Sequence, residues 1–159
     1  MELPLPLSQK LVRRATRLRL GKHQLLVQEG SPADCLYIIV DGALTLWRSR
    51  SDGDCQVTGF LYPGDVFGVA SGGRHICSAR ACVASQVFAL PRSEFEAMCD
   101  NDAEVRHAVF HSALNDLAAA QDQIVLLGCK TPPERVGTFL LQLKRRHEAR
   151  PCGHSDKIW

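Results

Sequence analysis

A stripe of apolar residues between Phe110 and Leu127 constrains this chain more than any other feature. Its members follow one another at alternating steps of three and four residues, the spacing at which one helix pairs with another along a narrow line. An isolated helix of this length is marginal in water, so a partner has to cover the stripe. We therefore predict a homodimer formed along this seam, which consists of Phe110, Ala113, Leu117, Ala120, Ile124 and Leu127.

The seam carries no charged residue, because Asp116 and Asp122 fall beside it. Acids that faced each other across a two-fold axis would repel and weaken the dimer. Without them, we expect the dimer to be constitutive and to need no ligand. The opposite side of the same helix carries a second apolar set, which we expect to cover part of the protein: Val105, Val109, Ala119 and Leu126.

Composition indicates an ordinary globular protein. The 159 residues are 45% hydrophobic and 23% charged, and the net charge of +2 favours neither nucleic acid nor a membrane as partner. No apolar run approaches the roughly 20 residues that span a bilayer. The stretch from Met1 to Pro6 lacks the basic and apolar regions of a secretion signal. We expect a cytoplasmic protein with no membrane partner.

The seven cysteines do not form a recognisable framework. Their number is odd, their spacings are irregular, and no two of them form a CxxC pair. Together with the lack of an export signal, this argues against a disulfide scaffold. We expect most of them to be small buried hydrophobes.

Evenly spaced turns precede the seam helix. Gly30, Gly42, Gly53 and Gly64 lie eleven or twelve residues apart, and β-prone runs lie between them. Short strands at this spacing predict an antiparallel β-roll of the jelly-roll kind. We also expect a short helix over residues 8–16, a last strand over residues 83–90, and a short helix that Pro91 opens and that ends near residue 100.

A further helix follows the seam helix. Thr131 and Glu134 form a capping box with proline at the first helical position, and apolar residues then recur at helical spacing. The predicted class is therefore α+β. We divide the chain into an N-terminal helix and β-roll over residues 1–98, a dimerisation helix over 99–129, and a hinge with one more helix over 130–159.

This order of elements resembles the CRP/FNR family of bacterial transcription regulators. The glycine-bearing turns match, as do the run Leu36–Gly42 and residues 62–68, and the stretch from Ile124 to Val136 is similar to the helix end and hinge of the FixK and FNR branch. The resemblance implies a cyclic-nucleotide-binding-like β-roll, a homodimer, and a regulatory function without catalysis. It covers nearly the whole chain.

The resemblance also implies partners. Family members bind DNA through a winged helix-turn-helix, and RNA polymerase is a further partner that the family implies. The present sequence ends at Trp159, where that module begins in the family. We therefore expect the chain to be the sensory and dimerisation portion of a regulator, with DNA contacted through a C-terminal domain that this sequence does not contain.

The resemblance implies which residues would meet an effector. The cyclic-nucleotide subgroup uses a Phe-Gly-Glu segment for the ribose and an Arg-Ser/Thr-Ala triplet for the phosphate. The equivalents here are Phe67-Gly68-Val69 and Cys77-Ser78-Ala79. A valine and a cysteine cannot replace the glutamate and the arginine, and on a strand Arg74 would face the other side from Cys77. We expect neither a cyclic nucleotide nor another cofactor to bind.

Other signals remain open as an alternative. An iron–sulfur cluster of the family type is not expected, because the arm before Cys35 contains no cysteine. His75 and Cys77 would share one face of a strand and could hold haem or a metal, although an exposed histidine beside a core cysteine is the simpler interpretation. Cys77 and Cys82 would face opposite ways and could not bridge. Cys129, at the hinge, could respond to oxidants if it is exposed.

Two remaining clusters have simple interpretations. His107 and His111 have a metal-compatible spacing on a helix, but no third ligand is evident, so we interpret them as a solvated pair beside the seam. The basic residues of the N-terminal arm predict a solvated or salt-bridged face: Lys10, Arg13, Arg14, Arg17 and Arg19. An enzyme of the cupin kind would need metal-binding histidines on the strands. The β region offers only His23 and His75, with no His-x-His pair.

Overall fold

The computed structural model describes residues 12–69, 72–129 and 131–148. Eight strands come first, and three helices follow in this part of the chain. The strands are β1 (Thr16–Leu20), β2 (Leu25–Val27), β3 (Cys35–Asp41), β4 (Leu44–Ser49), β5 (Cys55–Leu61), β6 (Val66–Phe67), β7 (Ser78–Ala81) and β8 (Ser85–Pro91). The helices are α1 (Arg92–Asn101), α2 (Ala103–Cys129) and α3 (Pro132–Glu148). Most of the helix predicted over residues 8–16 lies outside the described residues.

The strands form two four-stranded sheets, and all their pairings are antiparallel. The first sheet has the order β1-β8-β3-β6, and the second has the order β2-β7-β4-β5. Apart from the hairpin β4–β5, neighbours in these sheets are not consecutive in sequence, as in a jelly roll. The predicted β-roll of an α+β protein is therefore confirmed.

The first sheet contributes side chains to a core on each of its faces, and strand β3 shows why. Ile39 points into a core between the two sheets, together with Leu44, Ala79 and Val87. Its neighbour Ile38 belongs to a second core on the other face of the sheet. Successive residues of a strand point to opposite faces, so the nearly continuous apolar run of β3 serves both cores.

The second core joins the sheet to α1 and α2. Leu36 and Leu90 from the sheet pack with Phe95 of α1 and with Val105 of α2, which is fully buried. Val109 packs against the same cluster. The prediction that this side of the seam helix covers the β-roll is confirmed for these two valines. The side chains of Ala119 and Leu126, which belong to the same predicted set, lie outside the described residues.

Helix α2 has a defined start. The side chain of Asp102 accepts hydrogen bonds from the backbone N–H groups of Glu104 at 3.0 Å and Val105 at 3.3 Å. An N-terminal aspartate satisfies free backbone donors and complements the helix dipole. The cap therefore sets the turn of α2 at which Val105 enters the core.

The chain divides into two units, one up to Asn115 and one from Asp116 onward. The second unit contains the end of α2 and all of α3. Thr131 donates to Glu134 Oε2 from its backbone N–H at 2.8 Å and from its hydroxyl at 2.7 Å. These bonds confirm the predicted pairing of Thr131 and Glu134 at the start of α3.

The four evenly spaced glycines all have a positive φ, which explains their place in the predicted turns. Gly42 carries a further restriction. A Cβ atom at this position would lie 2.7 Å from Ser85 Cβ and 2.8 Å from the carbonyl oxygen of Ala84. At Gly53, whose φ is almost the same, a Cβ atom would meet nothing within 4 Å.

This pair of glycines gives a matched test of packing in the β-roll. We expect Gly53→Ala to cost about 1 kcal/mol of unfolding free energy, because of its left-handed backbone alone. Gly42→Ala should cost about 1 to 3 kcal/mol more, because the methyl group must also displace the Ala84–Ser85 backbone. Urea denaturation measures both changes, and equal costs would contradict the close approach at Gly42.

Candidate functional site

The two segments equivalent to the family's effector-binding residues lie at the end of β6 and the start of β7. Phe67 ends β6 and is buried in the core between the sheets. Gly68 follows with a positive φ, and Val69 packs against the second core. Ser78 and Ala79 open β7, and both are buried. The residues on either side of Gly68 therefore pack in different cores: Phe67 in the core between the sheets, and Val69 against the second core, which contains Val105 of α2.

His75 lies beside the first of these segments in an aromatic cluster. Its ring stacks on Phe67, with centroids 5.5 Å apart and planes inclined by 10°. Tyr37 lies 6.2 Å from the same imidazole. The side chain of His75 is 2% exposed, and its Nδ1 atom has no hydrogen-bond partner. Such a buried, unpaired nitrogen is costly in a folded protein.

The expectation of an exposed His75 on a strand was therefore wrong. His75 and Cys77 precede β7, where the backbone of His75 pairs with residues of another loop. Its N–H donates to the carbonyl of Ser31, and its carbonyl accepts from Gly30 N–H. These bonds draw the imidazole inward. Arg74, expected to face away from Cys77 on a strand, is exposed and donates to the carbonyl oxygen of Gly30 at 2.6 Å.

Burial governs the protonation of His75. It lowers the pKa of the imidazole, the nearby Arg92 guanidinium lowers this pKa further, and Asp34 raises it. The ring is therefore neutral at physiological pH. Its unpaired nitrogen can serve as a hydrogen-bonding atom or as a ligand.

Arg92 is a site residue that the sequence did not reveal. Its Nε donates to the carbonyl oxygen of Ala33 at 2.7 Å, and its Nη2 donates to the carbonyl oxygen of Gly68. A Cβ atom at Gly68 would lie 3.0 Å from the carbonyl oxygen of Cys35 and 3.7 Å from His75 Cε1. Arg92 therefore ties the start of α1 to the turn beside His75. An arginine that opens a helix carries no sequence signal for this role.

A depression in the surface lies near Ser78. Ser78 Oγ accepts a hydrogen bond from Glu29 N–H at 2.9 Å, so the hydroxyl holds the backbone of a neighbouring turn. The Glu29 carboxylate accepts from Ser49 N–H at 2.8 Å, and this bond lowers the pKa of Glu29. The depression has a volume of about 500 Å³ and is lined by Leu25, Gln28, Glu29, Trp47, Ser49 and Ser78.

Comparison with known proteins identifies the family. A model described as the cyclic nucleotide-binding domain matches residues 17–102. The solved structure of FixK2 from Bradyrhizobium japonicum is 37% identical in sequence with a TM-score of 0.78, over 83% of this chain and 67% of that one. The chain belongs to the CRP/FNR family. Its β-roll is the family's cyclic nucleotide-binding domain.

Curated relatives support the FixK branch of this family. The nitrogen fixation regulation protein FixK of Azorhizobium caulinodans is 34% identical over 79% of this chain and 51% of its own length. The transcriptional activatory protein AadR of Rhodopseudomonas palustris is 32% identical over 84% of this chain and 56% of its own length. The chain thus spans about half the length of these CRP/FNR relatives.

The cysteines of this CRP/FNR chain differ from our expectation. Of the six in the described part, Cys77 alone is buried; Cys35, Cys82 and Cys99 are half-buried, and Cys55 and Cys129 are exposed. The expectation that most cysteines are buried was therefore wrong. Burial raises the pKa of Cys35, Cys77 and Cys99, which keeps these thiols protonated and unreactive at neutral pH. Cys77 precedes β7 and Cys82 follows it, so the argument from one continuous strand does not apply to them.

The described members of the remaining predicted clusters are exposed, and Lys10 lies outside the described residues. Arg14 forms an ion pair with Glu94 at 2.9 Å, which agrees with a salt-bridged N-terminal face. Among the residues that the structure describes, no group of three or more histidine, cysteine or acidic side chains could hold a metal ion. Within the same part of the chain, no helix is both long enough and apolar enough to cross a membrane.

The buried imidazole predicts a pH dependence of stability. The lowered pKa means that near pH 6 the folded state binds fewer protons at His75 than the unfolded state does. Stability should therefore fall as the pH falls through the unfolded value of about 6.5, and it should be fully retained above that value. We expect His75→Phe, which keeps the stack on Phe67, to lose part of this slope.

Urea denaturation between pH 5.5 and 8 measures the slope. His23→Asn is the control, because it removes an exposed imidazole from the turn before β2. Asparagine tolerates the positive φ of 66° at that position. If His75→Phe keeps the wild-type slope and His23→Asn loses it, the pH dependence of stability comes from His23, which would contradict the prediction.

Proposed function

We propose that this chain is the sensory and dimerisation portion of a FixK-like transcription regulator that acts in the cytoplasm. Its β-roll positions α2, and α2 presents the seam to a second copy. The observation that carries this proposal is the exposure of large apolar side chains at the seam. Phe110 is 60% exposed, Leu117 is 56% exposed and Ile124 is 70% exposed.

The spacing of these residues supports a second copy as the partner. Ala113 and Ala120 are also exposed and alternate with the large residues, which lets two helices approach closely. The side chain of Leu127, the last predicted seam residue, lies outside the described residues. Burying Phe110, Leu117 and Ile124 removes apolar surface that water would otherwise cover, and each contributes about 1.5 to 3 kcal/mol when fully buried.

DNA is contacted, in this proposal, through a winged helix-turn-helix that α3 opens. Val136, Leu140 and Leu141 of α3 are each more than half exposed, as expected for a helix that belongs to a larger domain. The greater length of the curated relatives supports this placement. RNA polymerase is the further partner that a transcription activator implies.

The regulator that we propose uses neither a cyclic nucleotide nor an iron–sulfur cluster. Val69 packs among apolar side chains of the second core, where the subgroup that binds cyclic nucleotides has a glutamate. Cys77 is buried, and its side chain carries no positive charge in either protonation state, so it cannot replace an arginine as the partner of a phosphate. Ser78 is already engaged by the backbone of Glu29.

Exchange of one seam residue tests the dimer. We expect Leu117→Glu to yield a monomer at micromolar concentration, because two buried carboxylates would face each other across the two-fold axis. Ala118→Glu adds the same charge at an exposed neighbour outside the seam and should leave the dimer intact. Sedimentation equilibrium measures both. A monomeric wild-type protein, or a dimeric Leu117→Glu variant, would refute the proposed seam.

A second candidate function is favoured by the unpaired Nδ1 of His75. In this alternative, the β-roll binds a haem or another metal-containing effector through His75, with Cys77 as the nearest buried thiol in sequence. Alternatively, the regulator senses oxidants through Cys129, because this thiol ends α2 and is exposed. Both would make the regulator responsive to a signal instead of constitutive.

Absorption spectroscopy separates the two candidates. For the constitutive regulator, we expect a colourless protein that neither sharpens nor shifts the broad absorption band of free haemin when haemin is added in equal amount. For the alternative, a Soret band appears in the wild type and shifts in His75→Phe. Cys55→Ser is the control, since it removes an exposed thiol from the far strand β5. A band that depends on His75 would overturn the constitutive proposal.

A further inference from the structure

His107 and His111 form a close pair on the first part of α2. They lie one helical turn apart, and both side chains are exposed. Their ring centroids are 4.3 Å apart, and the ring planes are inclined by 55°. Both residues belong to the unit that ends at Asn115, where Asp102 caps the helix and Val105 holds it against the β-roll.

This separation is close to the one that chelation requires. Two imidazoles that bind one ion side by side, each through a bond of about 2.1 Å, have ring centroids about 4.5 to 5 Å apart. Small rotations of the two exposed rings bring His107 and His111 to that distance. The helix keeps their Cβ atoms on one face, so little conformational freedom is lost on binding.

We propose that His107 and His111 form a two-histidine binding site for a divalent transition-metal ion. Neutral imidazole suits Ni²⁺, Cu²⁺ and Zn²⁺, whereas Mg²⁺ and Ca²⁺ prefer oxygen ligands. No third histidine, cysteine or acidic side chain joins the pair among the described residues, so water completes the coordination. The site is therefore open and exchanges its metal with solvent.

The position of the pair gives metal binding a structural consequence. The ring of His111 meets Phe110 edge to face, with centroids 6.3 Å apart and planes inclined by 83°. A metal that fixes both imidazoles links two successive turns of α2 on either side of Phe110. Metal should therefore stabilise the helical segment that carries this exposed aromatic side chain.

Calorimetric titration of the untagged full chain with NiCl₂ at pH 7.5 tests the site. We expect one Ni²⁺ per chain in the wild type and about a hundredfold weaker binding in His107→Gln and in His111→Gln, since each variant loses the advantage of two linked ligands. Glutamine keeps the helix propensity high. His23→Asn is the control and should bind Ni²⁺ as the wild type does.

Two further measurements distinguish this site from metal bound elsewhere on the chain. Binding through imidazoles should produce no thiolate-to-metal absorption, which binding at Cys55 or Cys129 would produce. Circular dichroism checks that both glutamine variants remain folded and helical. Ni²⁺ binding that is absent in the wild type, or that persists unchanged in the folded His107→Gln and His111→Gln variants, overturns the proposal.

Discussion

The contact between Val105 and the outer face of the first sheet determines how the first unit is assembled. Val105 is fully buried against Leu90 and Phe95, and Asp102 caps the helix three residues earlier. Burial of an aliphatic side chain of this size contributes about 1.5 to 3 kcal/mol, and here it also sets the rotation of α2. With Val105 inward, Phe110 and Ala113 are exposed, so the packing of one valine decides which face of the first part of α2 stays uncovered.

The same core links the effector segments to this helix. Val69 packs against the cluster that contains Val105, and it follows directly on Gly68, whose carbonyl oxygen is held by Arg92. His75 Cε1 lies next to Gly68, so a short path of contacts joins His75 to the core that holds α2. In the family's cyclic nucleotide-binding subgroup the equivalent of Val69 is charged. Here it is apolar, so the path is part of the core and favours a constant arrangement of α2.

Regular patterns made most of the fold predictable. The glycine turns, the apolar run of β3, the capping pair Thr131 and Glu134 and the helical spacing after Phe110 each depend on local backbone chemistry, which the order of residues expresses directly. The surroundings of His75 were not predictable in this way. Its burial results from backbone bonds to Gly30 and Ser31, more than forty positions away, and from a stack on Phe67. The alternation of side chains along a strand predicted an exposed His75. That prediction was wrong because His75 precedes β7.

The distribution of charge separates a constitutive regulator from a switched one. A switch needs a group whose free energy differs between two states. The seam offers none, because apolar residues occupy it throughout. The β-roll offers one, the neutral imidazole of His75, since its protonation would place a charge beside Phe67 and near Arg92. The free-energy cost of placing a charge there opposes protonation and keeps the imidazole neutral at physiological pH. The unpaired Nδ1 of His75 is thus the atom through which this β-roll would respond to a signal. If the regulator is constitutive, His75→Phe, which has carbon in place of that nitrogen, should leave the dimer unchanged.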